Sequence, residues 1–214
     1  MELFSRIFSV TEIIGVVAAS ISGSMIAVVS SFDLFGVIFC GILTALGGGV
    51  IRDILIGCLP PRSFHNAAFL VSSLVTSVIV FVILKILHSK KPPRQELLHK
   101  VFVFFDAIGL ASFSIGGVQI GMASEYSGNA FLCVFLGMTT AIGGGILRDL
   151  MTARRPLVLC KEIYATASLI GCIAYYFSVY LGLPVTAATP LCMILIVLIR
   201  LLAFKFRWNM REDD

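Results

Sequence analysis

Two stretches of ten residues carry the residue types in this chain that could bind or move ions. Residues 44–53 read TALGGGVIRD and residues 140–149 read TAIGGGILRD, with seven of the ten positions identical. Three consecutive glycines permit a helix to bend or to approach another backbone closely. The pattern predicts two helices that kink at the glycines and face an interior path, with tight helix packing as the alternative. The predicted kink sites are Gly47, Gly48, Gly49, Gly143, Gly144 and Gly145.

An arginine and an aspartate follow each glycine triplet within the same apolar run. Either residue at the middle of a bilayer costs about 2.5–3.5 kcal/mol, so these side chains must be paired, hydrated or near a surface. Because the two helices run in opposite directions, their charges lie towards opposite ends of the path, which disfavours crossed pairing. Side chains that extend to the lipid head groups are the alternative. The predicted path charges are Arg52, Asp53, Arg148 and Asp149.

Two more acids and several hydroxyl groups recur in the same order. Glu12 and Asp106 each precede a glycine by three residues near the start of a predicted helix. They could form mouths that concentrate cations, or they could be interfacial carboxylates favoured by the helix dipole. Hydroxyl groups on the same two helices could line a hydrated pore or bond across helices. These hydroxyl candidates are Ser20, Ser22, Ser112 and Ser114.

The elements that must position these residues follow from composition. Of the 214 residues, 58% are hydrophobic and 13% are charged, and the mean hydropathy is +1.02. Soluble domains carry about twice that charged fraction, and the apolar runs are long enough to cross a hydrocarbon layer of about 30 Å. The sequence therefore predicts an all-α membrane protein with seven transmembrane helices. The predicted spans are residues 8–29, 34–57, 67–87, 101–123, 130–152, 162–182 and 185–203.

No pattern typical of an enzyme or a metal centre occurs in the sequence. The G-x-S-x-G, H-E-x-x-H and Walker motifs are absent, and the three histidines and six cysteines lack metal spacing. The net charge of +4 lies mostly between the apolar runs, which indicates membrane topology and not a nucleic-acid surface. We therefore predict no catalytic residue, no metal, no cofactor and no nucleic-acid partner.

The chain repeats itself once. Residues 12–23 align without gaps on residues 106–117, acid on acid and Gly15 on Gly109. Spans one to three therefore repeat as spans four to six. Since three is odd, the second copy must cross the membrane upside down, as in many transporters. The predicted fold is an inverted three-plus-three repeat with a seventh helix. Its units are residues 1–89, a cytoplasmic linker at 90–100, the second repeat at 101–183, and the seventh helix with a cytoplasmic tail at 184–214.

Lysines and arginines between the spans predict the orientation. Most lie after span three, after span five and at the C-terminal end. We expect a multi-pass protein of the cell inner membrane with its N-terminus outside and its C-terminus in the cytoplasm. The basic loops could also hold anionic lipid head groups. The residues behind this prediction are Lys90, Lys91, Arg94, Lys100, Arg154, Arg155, Lys161, Lys205, Arg207 and Arg211.

With two G-G-G-x-x-R-D motifs in the second and fifth of seven spans, the sequence resembles the prokaryotic members of the TRIC family, the trimeric intracellular cation channels. Related bacterial sequences are also labelled glycine transporters. The resemblance implies a homotrimer with one potassium-permeable pore inside each protomer. It also implies kinks at both glycine triplets and pore roles for the arginine and aspartate of each motif.

Two transport functions follow as hypotheses. The first is a monovalent cation channel that carries K⁺ in preference to Na⁺. The alternative is a secondary carrier for glycine or another small zwitterion, because an Arg-Asp pair could bind both a carboxylate and an ammonium group and broken helices suit such sites. A lipid-binding or scaffold protein without transport activity is a third, weaker hypothesis.

Overall fold

The computed structural model describes residues 2–90, 95–160 and 162–206. These residues form eight α-helices and a 3-10 turn at Arg62–Phe64, with no strand among them. Seven of the helices are long and apolar enough to cross a membrane, and only the four-residue α6 is not. The helices are α1 Glu2–Val29, α2 Leu34–Leu55, α3 Ala67–Lys90, α4 Gln95–Ala123, α5 Ala130–Met151, α6 Leu157–Cys160, α7 Glu162–Tyr180 and α8 Val185–Lys205.

All seven predicted spans are confirmed, and their ends agree with the apolar helices of the structure within two residues, with one exception. The exception is α4, which begins at Gln95 and not at residue 101. Glu96 and Lys100 lie one turn apart and form a salt bridge of 2.7 Å, which favours helix in this charged segment. Five residues behind the predicted orientation lie outside the described residues: Lys91, Arg94, Lys161, Arg207 and Arg211.

Four helices form the centre of the bundle. α1, α2, α4 and α5 pack against one another, α3 packs on α1 and α2, and α7 packs on α4 and α5. α3 and α7 therefore occupy equivalent places, as an inverted repeat requires. α8 packs mainly on α4 and α7, with a small contact to α1, and so covers mostly the second half.

Many large apolar side chains point outward, and the charged side chains of both motifs point inward. Phe35 is 74% exposed and Phe131 is 80% exposed, at equivalent places near the starts of α2 and α5. The interior buries large side chains such as Leu110, Ile115 and Leu136 together with many alanines and hydroxyl residues. The small and hydroxyl residues let helices approach closely and bond to each other in a lipid solvent. This distribution positions the charged residues of both motifs inside the bundle.

Candidate functional site

The middle glycines of the two triplets lie where α2 crosses α5. A side-chain carbon on Gly48 would strike the backbone carbonyl of Thr140, and one on Gly144 would strike the backbone carbonyl of Thr44. Glycine alone permits this approach. The close backbone contact expected from the sequence is therefore present, and it is symmetric between the two halves.

The backbone does not unwind at the triplets. α-Helix continues through Gly47–Gly49 in α2 and through Gly143–Gly145 in α5. The hydroxyls of Thr44 and Thr140 donate to carbonyls one turn earlier at 2.6 Å, a bond that often bends helices. Any bend occurs within continuous helix, and the predicted kink stays a prediction.

The third glycine of each triplet leaves space for the arginine that follows it. A side-chain carbon on Gly49 would lie 3.6 Å from Nη2 of Arg52, and one on Gly145 would lie 3.6 Å from Nη2 of Arg148. Each arginine therefore folds back along its own helix towards the crossing, and neither extends outward as a side chain reaching for head groups would.

Glu12, Arg52 and Asp53 form the first cluster. Arg52 Nε donates to Asp53 Oδ1 at 2.9 Å, and Arg52 Nη1 lies 3.6 Å from Glu12 Oε1. Asp53 Oδ2 accepts the backbone N–H of Arg62 at 2.8 Å, which ties the following loop to the end of α2. The Glu12 side chain is 15% exposed, whereas Arg52 is 2% exposed.

Asp106, Arg148 and Asp149 form the second cluster with the same plan. Arg148 Nε donates to Asp149 Oδ1 at 2.8 Å, and Arg148 Nη1 donates to Asp106 Oδ1 at 2.7 Å. Asp149 Oδ2 accepts the backbone N–H of Leu157 at 2.9 Å. The Arg148 and Asp106 side chains are 1% and 4% exposed.

The sequence wrongly placed both acids near helix starts, because α1 begins at Glu2 and α4 begins at Gln95. Both acids lie well inside their helices and contact the motif arginines. Glu12 lies on α1 with Arg52 on α2, and Asp106 lies on α4 with Arg148 on α5. Each arginine also bonds the aspartate of its own motif. Within the described parts of the chain the crossed pairing does not occur, as the sequence had indicated.

Two residues that sequence reasoning missed join the second cluster. Arg200 on α8 places Nη2 3.6 Å from Asp106 Oδ2, and its guanidinium lies 4.5 Å from the centre of the Tyr164 ring. An arginine inside the apolar run of α8 was itself a signal, because intramembrane charges usually serve a site. Tyr164 carried no such signal, since its position on α7 becomes important only through the fold.

The four serines divide into separate roles. Ser20 donates to Ser73 at 2.8 Å, and Ser114 bonds Ser168 at 2.7 Å, so these two join α1 to α3 and α4 to α7. Ser22 accepts from Arg148 Nη1 at 3.3 Å and is the only one of the four to touch a described charged cluster. Ser112 is buried and makes no hydrogen bond through its hydroxyl to any described residue.

Two small chambers accompany the clusters, each with room for about one water molecule. The first chamber is lined by Glu12, Gly49, Arg52, Ser63, Phe69, Phe113 and Thr140, among others. The second chamber is lined by Ala19, Ser22, Thr44, Asp106, Phe113, Arg148 and Tyr164, among others. Beyond the second cluster, an open recess is lined by Asp149, Arg154, Arg155, His99 and apolar residues of α1 and α4.

The sequence matches a family model described as Glycine transporter over residues 9–85 and 103–180. The UPF0126 inner membrane protein YadS of Escherichia coli K12 is 34% identical over 201 residues, which cover 94% of this chain and 92% of that protein. The UPF0126 membrane protein YvgT of Bacillus subtilis is 36% identical over 162 residues, which cover 75% of each protein.

Solved TRIC channels share the fold. A prokaryotic TRIC channel crystallised in 0.5 M KCl has a TM-score of 0.86 and 30% identity, covering 96% of this chain and 100% of that one. A TRIC cation channel solved to explain conductance has a TM-score of 0.81 and 32% identity, covering 97% of both chains. The trimeric intracellular cation channel orthologue from Rhodobacter sphaeroides has a TM-score of 0.85 and 26% identity, covering 94% and 99%. These neighbours are channels and not enzymes, which agrees with the sequence prediction.

Proposed function

The chain belongs to the family described as Glycine transporter and to the TRIC channel family, and from this premise we propose that it is a monovalent cation channel with a path through each protomer. The solved channels that share its fold support the class of function. The path would run from the recess past the second cluster, through both chambers, and out past the first cluster.

The observation that carries the proposal is the line of buried charges around the α2–α5 crossing. The first cluster holds two carboxylates and one guanidinium, which gives a formal charge of −1. The second cluster is neutral once Arg200 is counted, with two carboxylates and two guanidinium groups. The recess beyond the second cluster adds Arg154 and Arg155, so the net negative charge lies at the first cluster. The first cluster attracts cations, because charge in a confined low-dielectric passage acts strongly.

Potassium as the main ion and a homotrimer as the assembly are parts of the same proposal. Their support comes from the neighbours, one of which is named as trimeric and another of which was crystallised in potassium chloride. An inner-membrane location is supported by the naming of YadS as an inner membrane protein. The outside N-terminus and the contact of basic loops with anionic lipid remain proposals from the sequence. We propose no cofactor.

A carrier for glycine is the alternative, favoured by the description of the matching family and by carboxylate and guanidinium groups in both chambers. Chamber size counts against it. Each chamber has room for about one water molecule, and both arginines already bond carboxylates. A glycine molecule would need a chamber to expand and a buried ion pair to open.

Purified protein in liposomes separates the two functions. A channel should release trapped potassium down its gradient, without saturation at millimolar ion and without countertransport. Glu12→Gln should reduce the release, and Glu96→Gln, which alters an exposed salt bridge at the start of α4, is the matched control. Saturable uptake of labelled glycine with counterflow, and no potassium release, would contradict the channel.

A further inference from the structure

Phe113 is the one described residue that lines both chambers. Its side chain lies on α4 and is 9% exposed. One of the two chambers contains residues of the first cluster and the other contains residues of the second cluster. The ring also packs closely on α1, because a side-chain carbon on Gly15 would lie 2.8 Å from Cε1 of Phe113. The ring is therefore held against α1 and forms part of the wall of both chambers.

The repeat shows that the fold does not require an aromatic residue at this place. The alignment of residues 12–23 on 106–117 pairs Phe113 with Ala19 and Gly109 with Gly15. In the structure these residues form equivalent contacts, since a side-chain carbon on Gly109 would lie 3.4 Å from Cβ of Ala19. One half of the bundle packs this contact with a methyl group, and the other half packs it with a ring.

The ring itself carries no oxygen atom that could replace the water that a cation would lose there. Thr44 in the second chamber and Thr140 in the first chamber donate their hydroxyl protons to carbonyls of their own helices, and their oxygen atoms keep lone pairs that could accept a cation in each chamber. A narrow apolar segment between polar chambers tends to empty of water, and an empty segment stops ions without a physical plug. The polar groups that could hold a cation lie on either side of the ring.

We propose that Phe113 is the apolar barrier of the path, which rests on the proposed channel function. A cation passes between the chambers only when the ring moves aside or when water wets the space around it. The side chain at position 113 therefore determines the conductance, whereas the charged clusters determine which ions reach it.

Planar-bilayer recordings in potassium chloride of the wild type and four variants test the barrier. Phe113→Ala removes the ring, and Phe113→Gln keeps a similar volume while adding polar atoms that hold water. Phe113→Leu keeps an apolar side chain. Phe104→Ala is the control, because Phe104 lies on the same helix with a side chain that is 45% exposed.

The expected result is a several-fold rise in unitary conductance or open time for Phe113→Ala and Phe113→Gln. Phe113→Leu and Phe104→Ala should stay near the wild type. A silent wild type with a conducting Phe113→Gln would also support the barrier. Wild-type currents that neither Phe113→Ala nor Phe113→Gln increases would overturn the barrier and leave the channel function intact. If folded wild type and all variants were silent, the channel function itself would fail, and the barrier with it.

Discussion

The first and second clusters share one motif and differ in how tightly they are held. The arginine-to-acid contact across helices is 3.6 Å between Arg52 and Glu12, and 2.7 Å between Arg148 and Asp106. The acid is 15% exposed in the first cluster and 4% exposed in the second. One end of the bundle therefore carries a longer and more exposed ion pair, and the other end carries a shorter and more buried one.

The difference comes from the helix that has no repeat partner. α8 packs on the second half and supplies Arg200 to Asp106 and Thr189 to Gln119. Gln119 also donates to Tyr175 on α7 at 2.9 Å. The equivalent places in the first half, paired by the alignment and by the helix contacts, are apolar: Met25 and Val80.

Residues that fix the backbone are the same or chemically similar in both halves, while residues that surround the charges differ. The middle glycines, the threonines and the helix N-caps Asp33 and Asn129 recur with equivalent contacts. The repeat thus contributes matching contacts to the two sides of the α2–α5 crossing, and α8 makes the two ends of the bundle different. The first end is suited to attract cations, and the second end is suited to stay closed.

The largest expected effect is the loss of the buried guanidinium at the tighter end. Arg148→Gln leaves Asp106 and Asp149 buried without their main partner, which costs about 3–5 kcal/mol. Arg52→Gln should lower the stability less, because the Glu12 side chain is 15% exposed and water can solvate its carboxylate. Thermal unfolding of both variants in the same detergent, with the yield of monodisperse protein, measures the difference. Equal losses, or a larger loss for Arg52→Gln, would show that the two ends are not held differently.

Alanine at the middle glycine should destabilise the α2–α5 crossing by the same amount in both halves. Gly48→Ala and Gly144→Ala each put a methyl group on a backbone carbonyl of the facing helix, and such overpacking costs about 1–3 kcal/mol. Gly49→Ala is the control, since its nearest atoms would lie 3.6 Å away and alanine favours helix by up to about 1 kcal/mol. Melting temperatures of the three variants decide this. A clear difference between Gly48→Ala and Gly144→Ala would refute a symmetric crossing.

The loop after each motif offers a smaller test. Gly57 and Ala153 lie at equivalent places with φ of 69° and 53°, a left-handed conformation that costs about 1–2 kcal/mol for a residue with a side chain. Ala153→Gly should raise stability by about 1 kcal/mol, and Gly57→Ala should lower it by a similar amount. The unfolding midpoint should rise for Ala153→Gly and fall for Gly57→Ala. A lower midpoint for Ala153→Gly would mean that packing of the Ala153 methyl group outweighs the backbone strain.

Most of the fold was readable from the sequence, because apolar runs of membrane length and a doubled motif are local signals. The seven spans, the inverted order and the close approach at the glycines all follow from residues adjacent in the chain. The sequence analysis placed the start of α4 too late, because the charged segment before residue 101 has the composition of a loop. The Glu96–Lys100 salt bridge, with its partners one turn apart, favours helix there.

The site was only half predictable. The sequence singled out the four motif charges and the two acids on α1 and α4 as candidates, and the structure brings them together. The sequence did not predict which of them pair, because helix rotation decides which side chains meet. Arg200 approaches Asp106 from 94 positions along the chain, and Tyr164 joins only through the packing of α7. An internal repeat cannot reveal such residues, because they occur in one half only.

The measurement that tests the account most directly is the reversal potential of wild-type unitary currents across a bilayer with a potassium chloride gradient. If the charged clusters line a cation path, the currents should reverse near the equilibrium potential of potassium. Reversal near the equilibrium potential of chloride would contradict the account, as would folded protein that gives no current and takes up glycine saturably.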